Sequence, residues 1–519
     1  VGIGRSETNN LGQDAVNLTG GRSNLGKWGM RTSGTTYAVN LGGGTMGASA
    51  DWTSSLNMTL TGTGGNVVFN TLDSVNATTA RAITLSGTLS GTGGLTKSGA
   101  GVLNLTGTKT YTGTTAVNGG TLYPGTSLTT SALSVNSGGT LATGSVATAG
   151  TSTISFLSLN GGTVSLRADF TAGALINANV FNVPVASTIS ITPVSNLLQG
   201  DTLTLIDYNG SIGGLGFAGL TLTPLANPHY QTSLVNDTVN TRVQVSIDQI
   251  DPVVWLGTID GNWDINTTVN WKTVSNNAAS TFFNTDVVRF TDDGAAAPLV
   301  NLVGTIQPLS LTFDATTDYT LSGAAVSGTT GLEKKNTGSV TLLNTNTYTG
   351  VTKVTAGTLK VGNGGTTGTL GGSGNIDVAG TLEFNRSDTV TLSRVIAGTG
   401  TLSKKGSGTL VLNNGTALFL PTNVTVDAGT LQISSGSFSG NRMNGAGQMV
   451  VNPTGTLLIS AAHALGGDNL GMNDAVTVNG GTMTLNSEQY FTTLTLNGAL
   501  INGTNEIRVP SSSNYTVTG

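Results

Sequence analysis

Residues 91–125 read GTGGLTKSGAGVLNLTGTKTYTGTTAVNGGTLYPG, and residues 328–362 read GTTGLEKKNTGSVTLLNTNTYTGVTKVTAGTLKVG. The two align without a gap at an offset of 237, placing Leu95 on Leu332, Lys97 on Lys334, Gly101 on Gly338, Tyr111 on Tyr348 and Leu122 on Leu359. A looser third copy, GTGTLSKKGSGTLVLNNG, starts at Gly398. Within each copy short runs such as VLNL at 102 alternate apolar and polar residues, which sends Leu and Val to one face of a strand and Thr and Asn to the other. Gly and Asn punctuate the runs and take corners that other residues resist.

The pattern continues beyond the copies. Gly-Thr-Leu or a near variant recurs at Gly120, Gly139, Gly162, Gly357, Gly380, Gly429, Gly455 and Gly481. A strand-and-corner unit of roughly 20–25 residues predicts a parallel β-helix with one turn per unit, about 22 coils stacked ~4.8 Å apart. In such a stack equivalent side chains lie over one another. The expected core is therefore Leu95, Leu103, Leu105, Val117 and Leu122 in the first copy. Leu332, Val340, Leu342, Val354 and Leu359 serve in the second, and Leu402, Leu410, Leu412, Val426 and Leu431 in the third. Each fully buried Leu or Val contributes roughly 1.5–3 kcal/mol. Thr is expected to face outward, where its β-branched side chain covers the ladder.

Composition agrees with an all-β chain. Glycine accounts for 76 of 519 residues and charged residues for only 9%. Lys, Arg, Glu and Gln, the good polar helix formers, are scarce. Net charge is −5, and the 21 Lys and Arg show no cluster along the sequence of the kind a nucleic-acid surface needs. The absence of cysteine removes disulfides, thiolate metal sites and a Cys nucleophile. No apolar run reaches the ~18 residues of a membrane helix. The chain opens on Val1 with neither Met nor a signal peptide, so it is expected to be processed or excerpted from a longer polypeptide.

Two breaks in the rhythm divide the chain. From about 185 to 250 glycine thins and GDTLTLIDYNGSIGGLGF (200–217) introduces longer strands; next, Trp255, Trp263 and Trp271 come at intervals of eight. The expected organisation is a solenoid segment over 1–250 with a closing region from about 185, and a second over 251–519 that opens at the tryptophans.

The stretch LTKSGAGVLNLTGTKTYTGTTAVNGGTL (95–122) resembles the autotransporter-associated β-strand repeat of bacterial passengers and large surface proteins. Two good copies and one degraded copy cover about a fifth of the chain. The 200–217 stretch resembles the segment often found C-terminal to such repeats, and the GNWD…NW stretch at 261–271 the segment often found N-terminal to them. The resemblance implies a right-handed parallel β-helix, export, and display at the bacterial cell surface. The outer-membrane barrel of an autotransporter is not in this sequence.

Chemical motifs are weak. Gly214, Gly216 and Gly219 match G-x-G-x-x-G, but LTLTP comes next where a dinucleotide site needs a helix. Asn284, Asp286, Asp292 and Asp293 echo fragments of a polysaccharide hydrolase, without the histidine or Arg-x-Lys partners; the two histidines, His229 and His463, lie far away. Asp260, Asn262, Asp264 and Asn266 alternate as in a calcium loop, yet Ile265 and Trp271 stand where Gly and Glu belong, so Asx turns are expected. Gly466–Gly471 is a single poor cousin of a calcium-binding nonapeptide. Asn-x-Thr sequons at Asn17, Asn57, Asn76, Asn104 and Asn423 reflect abundance, and no flat Thr array of the ice-binding kind is evident. Lys97, Lys334 and Lys404 are read as outward charges that keep a stacking edge soluble. Trp255, Trp263 and Trp271 either plug a solenoid end or stack on sugar rings.

No enzyme and no cofactor is expected. The leading expectation is a structural extracellular solenoid that forms a surface fibre, sheath or stalk; a glycan- or receptor-binding adhesin is the alternative, and a polysaccharide-active enzyme the third. The closing SNYTVTG lines up with DYTLSG at 318–323, so the terminus falls inside a repeat. Continuation of the polypeptide or end-to-end self-association is expected there.

Overall fold

The structure is a computed structural model. It describes residues 14–32, 36–144, 150–169, 173–193, 196–372, 374–413, 422–434, 447–461, 475–491, 493–508 and 514–518. These residues form an all-β solenoid of parallel stacked strands, whose only helical pieces are two short 3-10 turns, Gly216–Gly219 and Asp292–Gly294. The chain divides into two compact units, Val1–Ile250 and Asp251–Gly519.

In the first unit each coil contributes short strands to two sheets. One stacks Val67–Asp73, Leu95–Ser98, Thr115–Val117, Ser127–Asn136, Ser152–Asn160 and Ile176–Val185. The other stacks Ala82–Leu85, Val102–Leu105, Gly120–Tyr123, Gly139–Ala142, Thr163–Ala168 and Ser187–Pro193. Pairing is parallel and in register, so Ile83, Leu103, Leu122, Leu141, Val164 and Ile189 fall in a single buried column. The outward neighbours Thr121, Thr140, Thr163 and Thr188 form a parallel column of hydroxyls. The parallel order stops at Thr202–Tyr208, which pairs antiparallel with Arg242–Ile250; that strand in turn forms a hairpin with Tyr230–Asp237.

The second unit opens on antiparallel pairs, Val253–Trp255 with Trp271–Thr273 and the latter with Ala279–Ser280, then becomes parallel. One of its inward columns runs Tyr319, Val340, Leu359, Leu382, Leu402, Val424, Met449, Val476 and Leu494, every one buried. All fifteen core positions expected from the three repeat copies are inward and buried. The third copy joins the stack on the other face. Its first strand, Thr401–Lys405, sits on Thr381–Asn385, whereas Leu332–Lys335 of the second copy sits on Ser310–Asp314.

Candidate functional site

The repeat lysines face inward, contrary to the outward charge expected from the sequence. Lys97 is 0% exposed, and Lys334 and Lys404 are each 1% exposed. The reason is the two-residue period of the strand: Lys97 lies two residues after Leu95 and shares its face. Each lysine occupies an inward column between an aromatic ring one coil earlier and a valine one coil later. The sets are Phe69–Lys97–Val117, Phe313–Lys334–Val354 and Phe384–Lys404–Val426. The aliphatic stem packs as a hydrophobe would, and the ammonium reaches the corner at the strand end.

There it meets backbone carbonyls. Lys97 Nζ donates to the oxygens of Ser98 (3.0 Å), Gly99 (2.7 Å) and Gly119 (2.7 Å). Lys404 Nζ donates to those of Lys405 (2.6 Å), Gly406 (2.8 Å) and Ala428 (3.1 Å). Lys334 Nζ donates to Lys335 O and to Asn336 O (2.8 Å). Three donors on an ammonium suit three acceptors, and for Lys97 and Lys404 the acceptors come from two successive coils. The corner itself is left-handed at Gly99 (φ +76°), Asn336 (φ +56°) and Gly406 (φ +70°). Burial pushes the Lys97 ammonium down to about 7 and that of Lys404 to about 8; burial lowers Lys334 as well, against the pull of Asp314 and Asp318. The carbonyl cradle favours the charged form and opposes that shift.

Replacing Lys404 by Met keeps the stem and removes the donors. This variant is expected to lose about 2 kcal/mol, the cost of leaving buried carbonyls unsatisfied, in urea unfolding of the full chain. Lys353→Met, at a half-exposed lysine only loosely paired with Glu333 (3.6 Å), should change stability by less than about 0.5 kcal/mol.

Some threonines also turn inward. Tyr111 Oη shares a hydrogen bond with Thr115 Oγ1 (2.6 Å), which contacts Ser131 Oγ (2.8 Å); Tyr348 Oη and Thr352 Oγ1 form the same pair at 2.8 Å. All five are buried, and burial pushes the Tyr111 phenol up to about 12. Thr115 lies in register with Leu95 and Leu133, a column position that the outward-Thr expectation assigns to an apolar residue. The buried phenol explains the exception, because its hydroxyl needs a partner.

The three tryptophans are all inside, at 0% for Trp255 and Trp263 and 1% for Trp271. Trp271 contacts Trp255 (5.0 Å between ring centroids), Trp263 (5.3 Å), Phe290 (5.7 Å) and Phe282 (5.9 Å). Phe290 stacks on Phe313 at 4.6 Å, carrying the aromatic filling into the next coil. Trp255 Nε1 donates to Ala297 O (3.0 Å), whereas Trp263 Nε1 is buried and finds no partner among the described residues. Packed in this way, the rings face one another and the core, not solvent. The loop that carries them is tied by buried Asn270, whose Oδ1 accepts from Ile259 N (2.9 Å) and whose Nδ2 donates to Asp260 Oδ1 (2.7 Å).

The acidic candidates are engaged in turns. Asp260 accepts from Asn262 N (2.8 Å), and Asp264 from the amide (2.9 Å) and hydroxyl (2.6 Å) of Thr268. Asp286 is buried and accepts from Phe283 N (2.7 Å), while Asp293 pairs with Lys272 at 2.9 Å. Asp292 accepts from the hydroxyl and amide of Thr317 (both 2.8 Å) and from those of Thr316 on the next coil; these bonds hold its carboxyl down to about 2. A carboxyl with its folded value below its ordinary 3.8 adds stability that is fully present above 3.8 and is lost as pH falls through about 2. Between pH 4 and pH 2 the melting temperature should therefore drop, and Asp292→Asn should lessen that drop. An identical profile in the variant would contradict the staple.

Gly214, Gly216 and Gly219 fall on a two-residue strand and a four-residue 3-10 turn that leads into a strand. Among the described residues no three His, Cys, Asp or Glu gather as metal ligands, and no helix is long and apolar enough to cross a membrane. His463 and Gly466–Gly471 lie outside the described residues.

Stacked parallel coils, aliphatic columns and a lysine-capped corner at each repeat define a β-solenoid repeat protein. The passenger-associated-transport-repeat family model matches residues 95–123, 332–361 and 402–433, the three copies that carry the lysine corner. The chain is an autotransporter-passenger-like repeat protein. It is similar to the adhesin BmaC autotransporter of Brucella suis biovar 1 (strain 1330), at 29% identity over 414 residues. The match covers 78% of this chain and 10% of that protein, so the chain spans about a tenth of the length of its curated relative. No solved structure matches.

Proposed function

We propose that this chain is a segment of a bacterial surface protein whose solenoid units hold adhesive surfaces away from the cell, with no catalytic step. The supporting observation is the nine-residue inward column from Tyr319 to Leu494, each member paired in register with the next. Such a ladder resists deformation through backbone hydrogen bonds alone and leaves its outer faces free to vary. The similarity to an adhesin and the passenger repeats support the adhesive side of this reading over a purely structural stalk.

Beads coated with the folded chain should be retained on a cell monolayer several-fold better than beads coated with the heat-denatured chain. Equal retention would overturn the adhesive role. Release of reducing ends from an acidic polysaccharide by the purified chain would overturn the absence of catalysis.

A further inference from the structure

Of the five tryptophans, Trp52, Trp255, Trp263 and Trp271 are buried, whereas Trp28 is 65% exposed. It projects from a tight turn in which Gly29 N donates to Gly26 O at 2.9 Å. That turn is fixed at both ends. On one side Ser49 N donates to Leu25 O (2.8 Å); on the other, Met30 is buried and its carbonyl accepts from Ser54 Oγ (2.9 Å). Gly29, at φ +58°, lies so close to the neighbouring rung that a Cβ there would stand 2.2 Å from Thr53 O. An exposed aromatic on an anchored turn loses little freedom when it is covered, which favours its use in binding.

Two cations lie over the ring, Lys27 Nζ at 5.0 Å and Arg31 Cζ at 5.2 Å from its centroid, while most of the indole stays exposed. Among the described residues neither pairs with a carboxylate. Residues 15–50 contain Arg22, Lys27 and Arg31 and no acid, in a chain of net charge −5 with 21 basic residues overall. Local density around the turn thus departs from the sparse distribution along the whole sequence.

We propose that Trp28, Lys27 and Arg31 form a binding site for an acidic polysaccharide, a sugar ring lying against the exposed part of the indole and its carboxylate or sulfate meeting the two cations that sit over the ring. The inference deepens the adhesive reading and rests on it. An indole face takes the C–H side of a pyranose, and guanidinium and ammonium groups pair with carboxylate or sulfate. The net negative charge of the chain repels polyanions elsewhere, so the patch sets where contact is made.

The test is binding of the full chain to heparin and to polygalacturonate, with neutral dextran and duplex DNA as comparisons. Binding to at least one acidic polysaccharide is expected, falling as salt is raised, with none to dextran and weaker binding to DNA. Heparin alone would mark sulfate, and polygalacturonate alone carboxylate, as the anion recognised. Trp28→Ala should weaken binding about tenfold, Trp28→Phe should restore most of it, and Lys27→Gln with Arg31→Gln should weaken it about tenfold and flatten the salt dependence. Because Trp28 is exposed, these variants should melt with the parent. No binding to either acidic polysaccharide, an unchanged affinity in Trp28→Ala, or DNA binding of equal strength would overturn the site. Loss of polysaccharide binding in Trp28→Ala with bead retention intact supports the site and places cell adhesion elsewhere on the surface. Retention by the parent without polysaccharide binding removes the site and leaves the adhesive reading standing.

Discussion

Trp271→Ala should lower the unfolding free energy of the second unit by about 3–5 kcal/mol, the range for deleting a large aromatic from a packed core. Trp271 touches two tryptophans and two phenylalanines and is paired through its backbone with Trp255. Removing it opens a void that the stiff antiparallel pairs around it are poorly able to close. Urea unfolding of the full chain, monitored by tryptophan fluorescence, reads the loss; Trp271→Phe, which keeps one ring, should lose markedly less. The experiment also separates the two roles the sequence leaves open for these residues. A sugar platform would give a variant as stable as the parent with lost glycan binding, whereas a buried filling gives an unstable one.

A comparable loss is expected for Gly357→Ala. Gly357 is the glycine of the Gly-Thr-Leu motif in the second copy and sits at φ +65° over the corner of the previous coil. A Cβ there would stand 2.3 Å from Gly338 O, 2.4 Å from Asn336 O and 2.8 Å from Lys334 Nζ, so the methyl enters the lysine cradle itself. The left-handed backbone costs a non-glycine residue about 1–2 kcal/mol, and displacing two coils and an ammonium adds the rest, for a total of roughly 3 kcal/mol or more. Gly498 supplies the control. Its φ is +58° with nothing within 4 Å, so Gly498→Ala should carry the conformational cost of about 1 kcal/mol alone. Equal losses at the two glycines would mean that crowding by the neighbouring coil is unimportant.

Much of this architecture is legible in the sequence because a solenoid writes one physical rule many times. Two-residue alternation identifies the inward Leu and Val of all three copies, and the recurrence of Gly-Thr-Leu sets the coil length. The outward assignment of the lysines fails because it lets charge override that alternation. Leu95-x-Lys97, Leu332-x-Lys334 and Leu402-x-Lys404 each put the lysine on the leucine face, and the left-handed residue two positions on supplies one of the carbonyls that receive the ammonium. Thr115 and Thr352 carry a signal in the tyrosine four residues earlier, a buried phenol in search of a hydroxyl. Other features carry no local signal. Which face the third copy joins depends on the coil beneath it, and the exposure of Trp28 depends on the rung that holds Gly29. Average charge over 519 residues also hides the short basic stretch from Arg22 to Arg31.

Adjacent lysines provide the most direct measurement. In Lys334-Lys335 and Lys404-Lys405 the first residue points into the stack, while the second is partly exposed beside Glu333 or Glu383. Brief acetylation of the native chain, read residue by residue by mass spectrometry, should modify Lys335, Lys405, Lys353 and Lys27 and leave Lys97, Lys334 and Lys404 intact until the chain is unfolded. Modification of Lys334 and Lys404 as fast as of the lysine next to each would contradict inward repeat lysines, and with them the register in which these coils are stacked.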